Sequence, residues 1–184
     1  MPVAAVFGSS TQGPDAPCCV MARELGSGLA RLGYAVKCGG YLGVMEAVSR
    51  GAREAGGEVI GVTLAGLAGR RTPNRWLSRE IPAENLYRRL EILCSGSDLF
   101  FALEGGGPGT LNEVFLVWAA GIIGLDPPRP LFLVGRGWPE LLETMARAFD
   151  AAPGRLPTTF LVPDAAAALL KLRELAAASP PPGR

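Results

Sequence analysis

Hydrophobic residues along the chain fall into short continuous runs that alternate with longer amphipathic segments. The short runs are rich in β-branched and aromatic residues, which is typical of strands buried on both faces of a parallel sheet. The longer segments repeat their apolar positions about every 3.6 residues and end at helix breakers, as amphipathic helices do. This alternation predicts an α/β fold in which helices flank a doubly wound, Rossmann-like sheet.

The predicted elements form six strand–helix units. The predicted strands are Val3–Phe7, Tyr34–Lys37, Glu58–Thr63, Leu99–Leu103, Leu131–Val134 and Thr158–Val162. The predicted helices are Pro14–Leu32, Val44–Ala55, Asn85–Ser97, Thr110–Gly124, Pro139–Phe149 and Asp164–Ala177. Together they predict a single domain over residues 1–178, with a mainly parallel sheet of about six or seven strands.

Two segments lack such a pattern. The stretch Ala65–Glu84 contains glycine, proline and four arginines without a clear period, which predicts either a functional or mobile loop or a solvated surface loop. The last residues, 179–184, read SPPPGR, and their proline content predicts a disordered tail.

Composition narrows the range of possible functions. The formal net charge of the 184 residues is +1, so we expect neither a nucleic acid nor a membrane surface as partner. The chain has no histidine, which excludes Ser-His-Asp and Cys-His catalysis and HExxH zinc sites. The four cysteines form no CxxC pair, so we expect no metal site and a reducing compartment. Because no basic region precedes the first apolar stretch, and the longest apolar run, Val114–Leu125, is too short to span a bilayer, we expect a cytoplasmic protein.

Glycine-rich turns follow three of the predicted strands, at Phe7–Thr11, Gly39–Gly43 and Glu104–Thr110. In an open parallel sheet such turns lie at the carboxyl ends of the strands, where backbone N–H groups and helix N-termini bind anions. Neither a Walker A loop nor a GxGxxG fingerprint with its ribose-binding acid is present, which disfavours triphosphate hydrolysis and NAD chemistry.

The third turn admits two interpretations of Glu113, which comes three residues after Thr110. In one interpretation the two residues form a capping box, with Thr110 as the N-cap and Glu113 bonded back to its amide. In the other, Glu113 faces a sugar next to a phosphate that is held by the start of the helix.

Several motifs occur in the same order as in the Lonely Guy (LOG) family, whose members are often labelled lysine decarboxylase-like. They are an arginine-bearing helix, a strand, a glycine turn that leads to a glutamate, and an upstream glycine turn followed by methionine. The matching segments are Arg88–Leu93, Ser97–Leu103, Gly105–Glu113 and Gly39–Met45, together with Val6–Ser10 and Val59–Val62. The resemblance extends over most of the chain from Val3 to about Val134.

This resemblance implies a Rossmann-like fold, usually dimeric, and hydrolysis of the N-glycosidic bond of nucleoside 5′-monophosphates to free base and ribose 5-phosphate. Molybdenum-cofactor carrier proteins share the fold and the glycine motif but bind their ligand without converting it. The alternative function is therefore a non-catalytic carrier of a nucleotide or of the molybdenum cofactor.

By position, the resemblance implies catalytic roles for Arg89 and Glu113. The residues it implies for phosphate or nucleotide binding are Gly8, Ser9, Ser10, Gly39, Gly40, Gly43, Met45, Arg88, Gly105, Gly106, Gly107, Gly109 and Thr110, with Arg88 also the fallback for the catalytic arginine. The chain departs from the family pattern in a third turn that is one residue longer and in Glu104, which replaces a proline. A carboxylate at Glu104 would repel a phosphate if it pointed inward. Glu46 adds another carboxylate near the site.

The decarboxylase label implies pyridoxal phosphate, which needs a lysine for its Schiff base. Only Lys37 and Lys171 are present as lysines, and Lys171 lies in the last predicted helix, so we expect no such cofactor.

The segment Val114–Ile123 is apolar nearly all round, and a helix of that kind must be buried on more than one side. It predicts a homodimer or tetramer. The small-molecule nucleotide expected as the ligand is what the family resemblance implies.

Overall fold

A computed structural model describes residues 1–67, 69, 71–125, 127–149 and 158–178. Its strands are β1 (Val3–Phe7), β2 (Ala35–Cys38), β3 (Val59–Leu64), β4 (Arg79–Ala83), β5 (Leu99–Leu103), β6 (Leu131–Val134) and β7 (Thr159–Val162). Its helices are α1 (Pro17–Arg31), α2 (Val44–Glu54), α3 (Leu86–Cys94), α4 (Pro108–Ile122), α5 (Trp138–Ala148) and α6 (Ala165–Ala178), and a short 3₁₀ turn covers Ala65–Leu67. The described strands form one parallel sheet in the order β4-β3-β2-β1-β5-β6-β7, so the predicted Rossmann-like α/β fold is confirmed.

The bounds of the predicted elements agree with the observed ones to within three residues, but one strand was missed. Strand β4 lies inside the stretch that was predicted to be a loop, and it pairs in parallel with β3. It is an edge strand with four of its five residues at least partly exposed, and it contains Arg79, Glu80 and Pro82. An edge strand has no hydrogen-bonded neighbour along one of its edges, so it tolerates proline and charged residues. Such a strand therefore need not contain an apolar run from which it could be predicted.

The core has two layers, one on each face of the sheet. Helices α1, α2 and α6 cover one face, and α3, α4 and α5 cover the other. The central strands β1 and β5 are buried over almost their full length, as expected for a sheet covered on both sides. Arg89 on α3 and Glu113 on α4 therefore belong to the same face.

The strand order reverses between β1 and β5, which places a topological switch point at the centre of the sheet. Ligands of open α/β sheets bind in the crevice outside the carboxyl ends of the strands at such a point. The turns after β1 and β5 border this crevice, and the turn after β2 is its neighbour. All three glycine turns are thus brought to one edge of the sheet.

Within the described ranges, no helix is long and apolar enough to cross a membrane. The predicted tail, residues 179–184, lies outside the described residues, and the single-domain boundary at residue 178 stays a prediction.

Candidate functional site

Arg89 is fixed in place by two strand ends. Its Nε donates to the carbonyl oxygen of Val62 at 2.8 Å and its Nη2 to that of Gly39 at 3.1 Å. These bonds use the guanidinium edge that faces the sheet and leave Nη1 directed at Glu113, with 4.0 Å between Nη1 and Oε1. The side chain is only 12% exposed, so this cation is held in a defined position at the edge of the core.

Glu113 is a buried carboxyl group on the second turn of α4. Its side chain is 10% exposed, and its nearest cation is the guanidinium of Arg89. Burial raises its pKa to about 7, against the opposing effect of Arg89, because the charged form loses hydration that one cation at 4.0 Å does not replace. A carboxyl group with this pKa exchanges protons near neutral pH, which suits general acid–base chemistry.

The glycines of the turn after β2, Gly39–Gly43, pack closely against neighbouring atoms although Leu42 is exposed, and we call it the packed turn. A Cβ on Gly39 would overlap Arg89 Nη2 and Met45 Sδ, and one on Gly43 would collide with the carbonyl oxygen of Ser9. Gly40 and Gly43 have positive φ angles of 77° and 67°. Glycine is required here by backbone conformation and by close packing, and the packed turn holds Arg89 in place.

The turn after β5, Gly105–Gly109, is different, and we call it the open turn. A Cβ on Gly105, Gly107 or Gly109 would meet no described atom within 4 Å. The N-cap of α4 is Gly107, followed by Pro108 at the first helical position. The N–H groups of a first helical turn have no partner inside the helix, so this turn presents the amides of Gly109 and Thr110 to the crevice.

This helix start contradicts the capping-box interpretation. Thr110 is the third helical residue, α4 has no side-chain cap, and Glu113 lies one turn further in beside Arg89. Proline favours the first position of a helix because its fixed φ suits that position and it has no N–H to satisfy. Pro108 was therefore the signal that places the start of α4 two residues earlier than predicted.

Glu104, which was expected to repel a phosphate if it pointed inward, does not face the open turn. Its Oε2 accepts a hydrogen bond of 2.7 Å from the amide of Gly137, the N-cap of α5. A Cβ on Gly135 would overlap the Glu104 side chain, which lies against this second helix start. The carboxylate thus stabilises the N-terminus of α5, which is the positive end of the helix dipole.

The remaining predicted site residues separate into buried and exposed groups. Ser9 is buried, and its Oγ accepts from the amide of Thr11 at 3.2 Å, which shapes the turn after β1. Met45 is buried beside Gly39. Arg88 is instead 53% exposed and forms an ion pair with Glu91, so the structure brings Arg89, and not Arg88, to Glu113.

Sequence reasoning missed Tyr41 in the packed turn. The guanidinium carbons of Arg89 and Arg71 each lie 5.9 Å from the centroid of its ring. Its hydroxyl accepts a hydrogen bond of 2.8 Å from the amide of Leu64. A lone aromatic residue inside a glycine turn is the only sequence signal for this role.

Neither lysine is placed for Schiff-base chemistry beside Arg89 and Glu113. The Nζ of Lys37 donates to the carbonyl oxygens of Ile92 and Ser95 at the end of α3, and burial lowers its pKa. Lys171 pairs with Glu174 on α6. Lys37 therefore stabilises the C-terminus of the helix that carries Arg89.

Comparisons with known proteins show which family and which solved structures this chain resembles. The sequence profile of the SLOG cluster4 family matches residues 1–133. A relative from Mycobacterium tuberculosis, named cytokinin riboside 5′-monophosphate phosphoribohydrolase, is 33% identical over 115 residues. That match covers 62% of this chain and only 60% of the relative's length.

Other relatives match over more of the chain. The LOGL9 protein of Oryza sativa subsp. japonica is 33% identical over 176 residues, which cover 92% of this chain and 76% of that protein. Among solved structures, the Moco carrier protein of Chlamydomonas reinhardtii superposes with a TM-score of 0.71 at 28% identity. This superposition covers 96% of this chain and 98% of the carrier.

Proposed function

The chain belongs to the SLOG cluster4 family, and we propose that it hydrolyses the N-glycosidic bond of a nucleoside 5′-monophosphate. The products are the free base and ribose 5-phosphate. One observation carries the proposal: a buried carboxyl group, Glu113, lies one helical turn beyond the open turn and is paired with a fixed arginine. The name of the Mycobacterium tuberculosis relative describes the same reaction class.

The phosphate binds at the open turn in this proposal. The amides of Gly109 and Thr110 and the positive end of the α4 dipole provide an anion site without any lysine. Gly109 and Glu113 are four residues apart on one face of the helix, about 6 Å along its axis. That spacing is comparable to the separation between the 5′-phosphate of a ribose and its C1′, so Glu113 lies beside the scissile bond.

Hydrolysis then needs a group that stabilises positive charge at C1′ and handles one proton. As the C1′–N bond breaks, its electron pair leaves with the base, and the ribose acquires oxocarbenium character. The ionised carboxylate of Glu113 stabilises that charge and accepts a proton from the attacking water. The water oxygen becomes bonded to C1′, and the proton ends on the base nitrogen.

Arg89 keeps a fraction of Glu113 ionised at neutral pH. Without a nearby cation, burial would raise the pKa of Glu113 further, and the ionised form would become scarce at neutral pH. Its Nη1, which makes no hydrogen bond to the sheet, also provides a donor for an anionic group of the substrate. Both effects need the guanidinium where Val62 and Gly39 hold it.

The decisive experiment measures base release from a panel of nucleoside monophosphates by the wild type, Glu113→Gln and Arg89→Met. We expect each substitution to lower turnover by about 10²-fold or more, the range of general acid–base groups. Arg88→Met, which changes the neighbouring exposed arginine, is the matched control and keeps wild-type turnover. Wild-type protein that binds a nucleotide but releases no base would contradict the proposed hydrolysis and favour the carrier function.

The carrier is the second candidate, because the Chlamydomonas Moco carrier protein matches this chain over nearly the full length of both. A carrier uses the open turn in the same way but binds its ligand without breaking a bond. In that case Glu113→Gln retains ligand affinity, and neither the wild type nor any variant releases base.

We further propose that two copies of the chain associate through α4. Its outward face leaves Phe115, Leu116 and Ile122 between 37% and 59% exposed, and Ile123 just beyond it is 67% exposed. A second copy would bury this apolar face by two-fold symmetry. Light scattering should then give twice the 19.2 kDa chain mass, and Ile122→Glu should restore the single mass.

All four cysteines are buried thiols, which favours a reducing, cytoplasmic location.

A further inference from the structure

Of the two lysines in the chain, only Lys37 is buried, and the hydrolysis proposed above does not use it. It lies on β2 and is 6% exposed. Burial lowers the pKa of its ammonium group, because the surroundings disfavour the charge. Among the residues that the structure describes, no carboxylate forms an ion pair with Lys37. A buried cation without an acidic partner costs free energy unless its N–H donors are all satisfied in another way.

The ammonium group of Lys37 is hydrogen-bonded to the end of α3. Its Nζ donates to the carbonyl oxygens of Ile92 at 3.1 Å and of Ser95 at 2.8 Å. The last carbonyl groups of a helix have no partner within the helix, and a cation beside them also interacts favourably with the helix dipole. Arg129 reaches the same end, where its Nη1 donates to the carbonyl oxygen of Cys94 at 2.9 Å. Two cations therefore hold the C-terminal end of α3.

Strand β2 holds α3 at a second point as well. The carbonyl oxygen of Gly39, directly after the strand, accepts the hydrogen bond of 3.1 Å from Arg89 Nη2. Lys37 and Gly39 are two residues apart, roughly 7 Å along an extended chain, and Arg89 and Ile92 are about one helical turn apart. Because α3 has only nine residues, it has little stability of its own, and such tertiary contacts determine where it lies.

We infer that Lys37, together with Arg129, is a positioning residue for the catalytic pair: by holding the end of α3, it keeps the Arg89 guanidinium beside Glu113. The inference rests on the proposed function, in which this pair acts on the substrate. Lys37 forms no described hydrogen bond to Arg89 or Glu113, so it acts through the helix. Without Lys37, the end of α3 loses a donor to two carbonyl groups, and the guanidinium spends less time at 4.0 Å from the carboxyl group.

The experiment replaces Lys37 by methionine, which is unbranched and uncharged, and follows the protonation of Glu113 by NMR. In protein labelled with ¹³C at the glutamate carboxyl groups, the Glu113 signal is the one that is missing from Glu113→Gln. A nearby cation lowers the pKa of a carboxyl group, so a displaced Arg89 should raise the Glu113 titration midpoint by about one pH unit. The thiol of Cys38 also lies near Glu113, but burial raises its pKa and it stays neutral over this range.

The base-release assay measures the same effect on turnover. At pH 7, Lys37→Met should release base about tenfold more slowly, since fewer molecules then carry an ionised Glu113. Lys37→Arg keeps a cation with several N–H donors and should restore most of the turnover and of the titration midpoint. Lys171→Met is the matched control, because it changes the more exposed lysine, which pairs with Glu174 on α6, and it should leave both values unchanged.

Urea denaturation checks that each variant is folded and measures stability separately. A folded Lys37→Met protein whose Glu113 midpoint equals that of the wild type would overturn the inference, because Lys37 would then stabilise the helix end without positioning Arg89. If Lys37→Met does not fold, Arg129→Met removes the other cation from the same helix end, and an unchanged midpoint there would overturn the inference equally. A raised midpoint in a protein whose wild type releases no base would support the positioning role, while the proposed hydrolysis fails.

Discussion

The turn after β2 and the turn after β5 both contain several glycines, but most of these glycines meet different surroundings. The exception is Gly106 of the open turn, where a Cβ would overlap the Thr110 side chain. In the packed turn, a Cβ on Gly39 or Gly43 would overlap Arg89 or the backbone of the neighbouring turn. In the open turn, a Cβ on Gly105, Gly107 or Gly109 would meet no described atom. The packed turn therefore positions the side chain of Arg89, whereas the open turn leaves space and backbone N–H groups for a ligand.

This difference separates two uses of glycine that look alike in a sequence. Glycine in the packed turn lets parts of the protein approach each other closely. Glycine in the open turn leaves the helix start uncovered, so that an anion can approach its N–H groups. Substitutions in the two turns should consequently affect different properties.

Gly39→Ala should have the largest effect. The new Cβ would overlap Arg89 Nη2 and Met45 Sδ, so the guanidinium must leave its bond to the Gly39 carbonyl. We expect the free energy of unfolding to fall by about 1–2 kcal/mol, because both overlapped atoms belong to flexible side chains that can shift, and turnover to fall by about 10²-fold. Urea denaturation and the base-release assay measure the two effects.

Gly107→Ala is the matched control from the open turn. It has a φ angle of −94°, which alanine adopts readily, and space for the methyl group. The free energy of unfolding should therefore change by less than about 0.5 kcal/mol, while affinity for ribose 5-phosphate falls. Equal destabilisation by Gly39→Ala and Gly107→Ala would remove the distinction between the turns.

Glu113→Gln sharpens the comparison through pH. The folded-state pKa of Glu113 is raised to about 7 from an ordinary 4.5, so the folded protein binds the proton more tightly than the unfolded chain. Stability from this group is present at low pH and is lost as the pH rises from about 4.5 through about 7. Between pH 5 and pH 8, wild type should lose about 2 kcal/mol relative to Glu113→Gln.

Parallel urea titrations of the two proteins at several pH values measure this difference, and groups common to both proteins cancel in it. A constant difference across that range would mean that Glu113 is not desolvated. The rate should show the opposite trend, since kcat/KM rises as the carboxylate ionises near pH 7.

Glu104→Ala should have a smaller effect than Gly39→Ala and Glu113→Gln. It removes the acceptor of the Gly137 amide and the negative charge beside the N-terminus of α5, which costs about 1 kcal/mol. Because the carboxylate does not face the open turn, affinity for ribose 5-phosphate should stay unchanged. A marked gain in that affinity would show that Glu104 repels phosphate after all.

The sequence determined the features that depend on local pattern. Among the residues that the structure describes, apolar runs and amphipathic segments identify six of the seven strands and all six helices. Strands buried on both faces are apolar throughout, so they can be recognised from the sequence. The order of β5, the open turn and α4 could be predicted for the same reason. Strand β4 could not, since an edge strand with proline and charged residues contains no such apolar run.

Tertiary structure decided which polar residues act together. Arg88 and Arg89 are neighbours in the sequence but point about 100° apart around α3, and only the packing of that helix on the sheet turns Arg89 toward Glu113. Glu113 owes its raised pKa to burial by segments distant in the chain. The surface concavity lined by Tyr41, Thr63 and Glu80 likewise exists only because β2, β3 and β4 lie side by side in the sheet. Such properties arise from distances between remote residues, which no local pattern encodes.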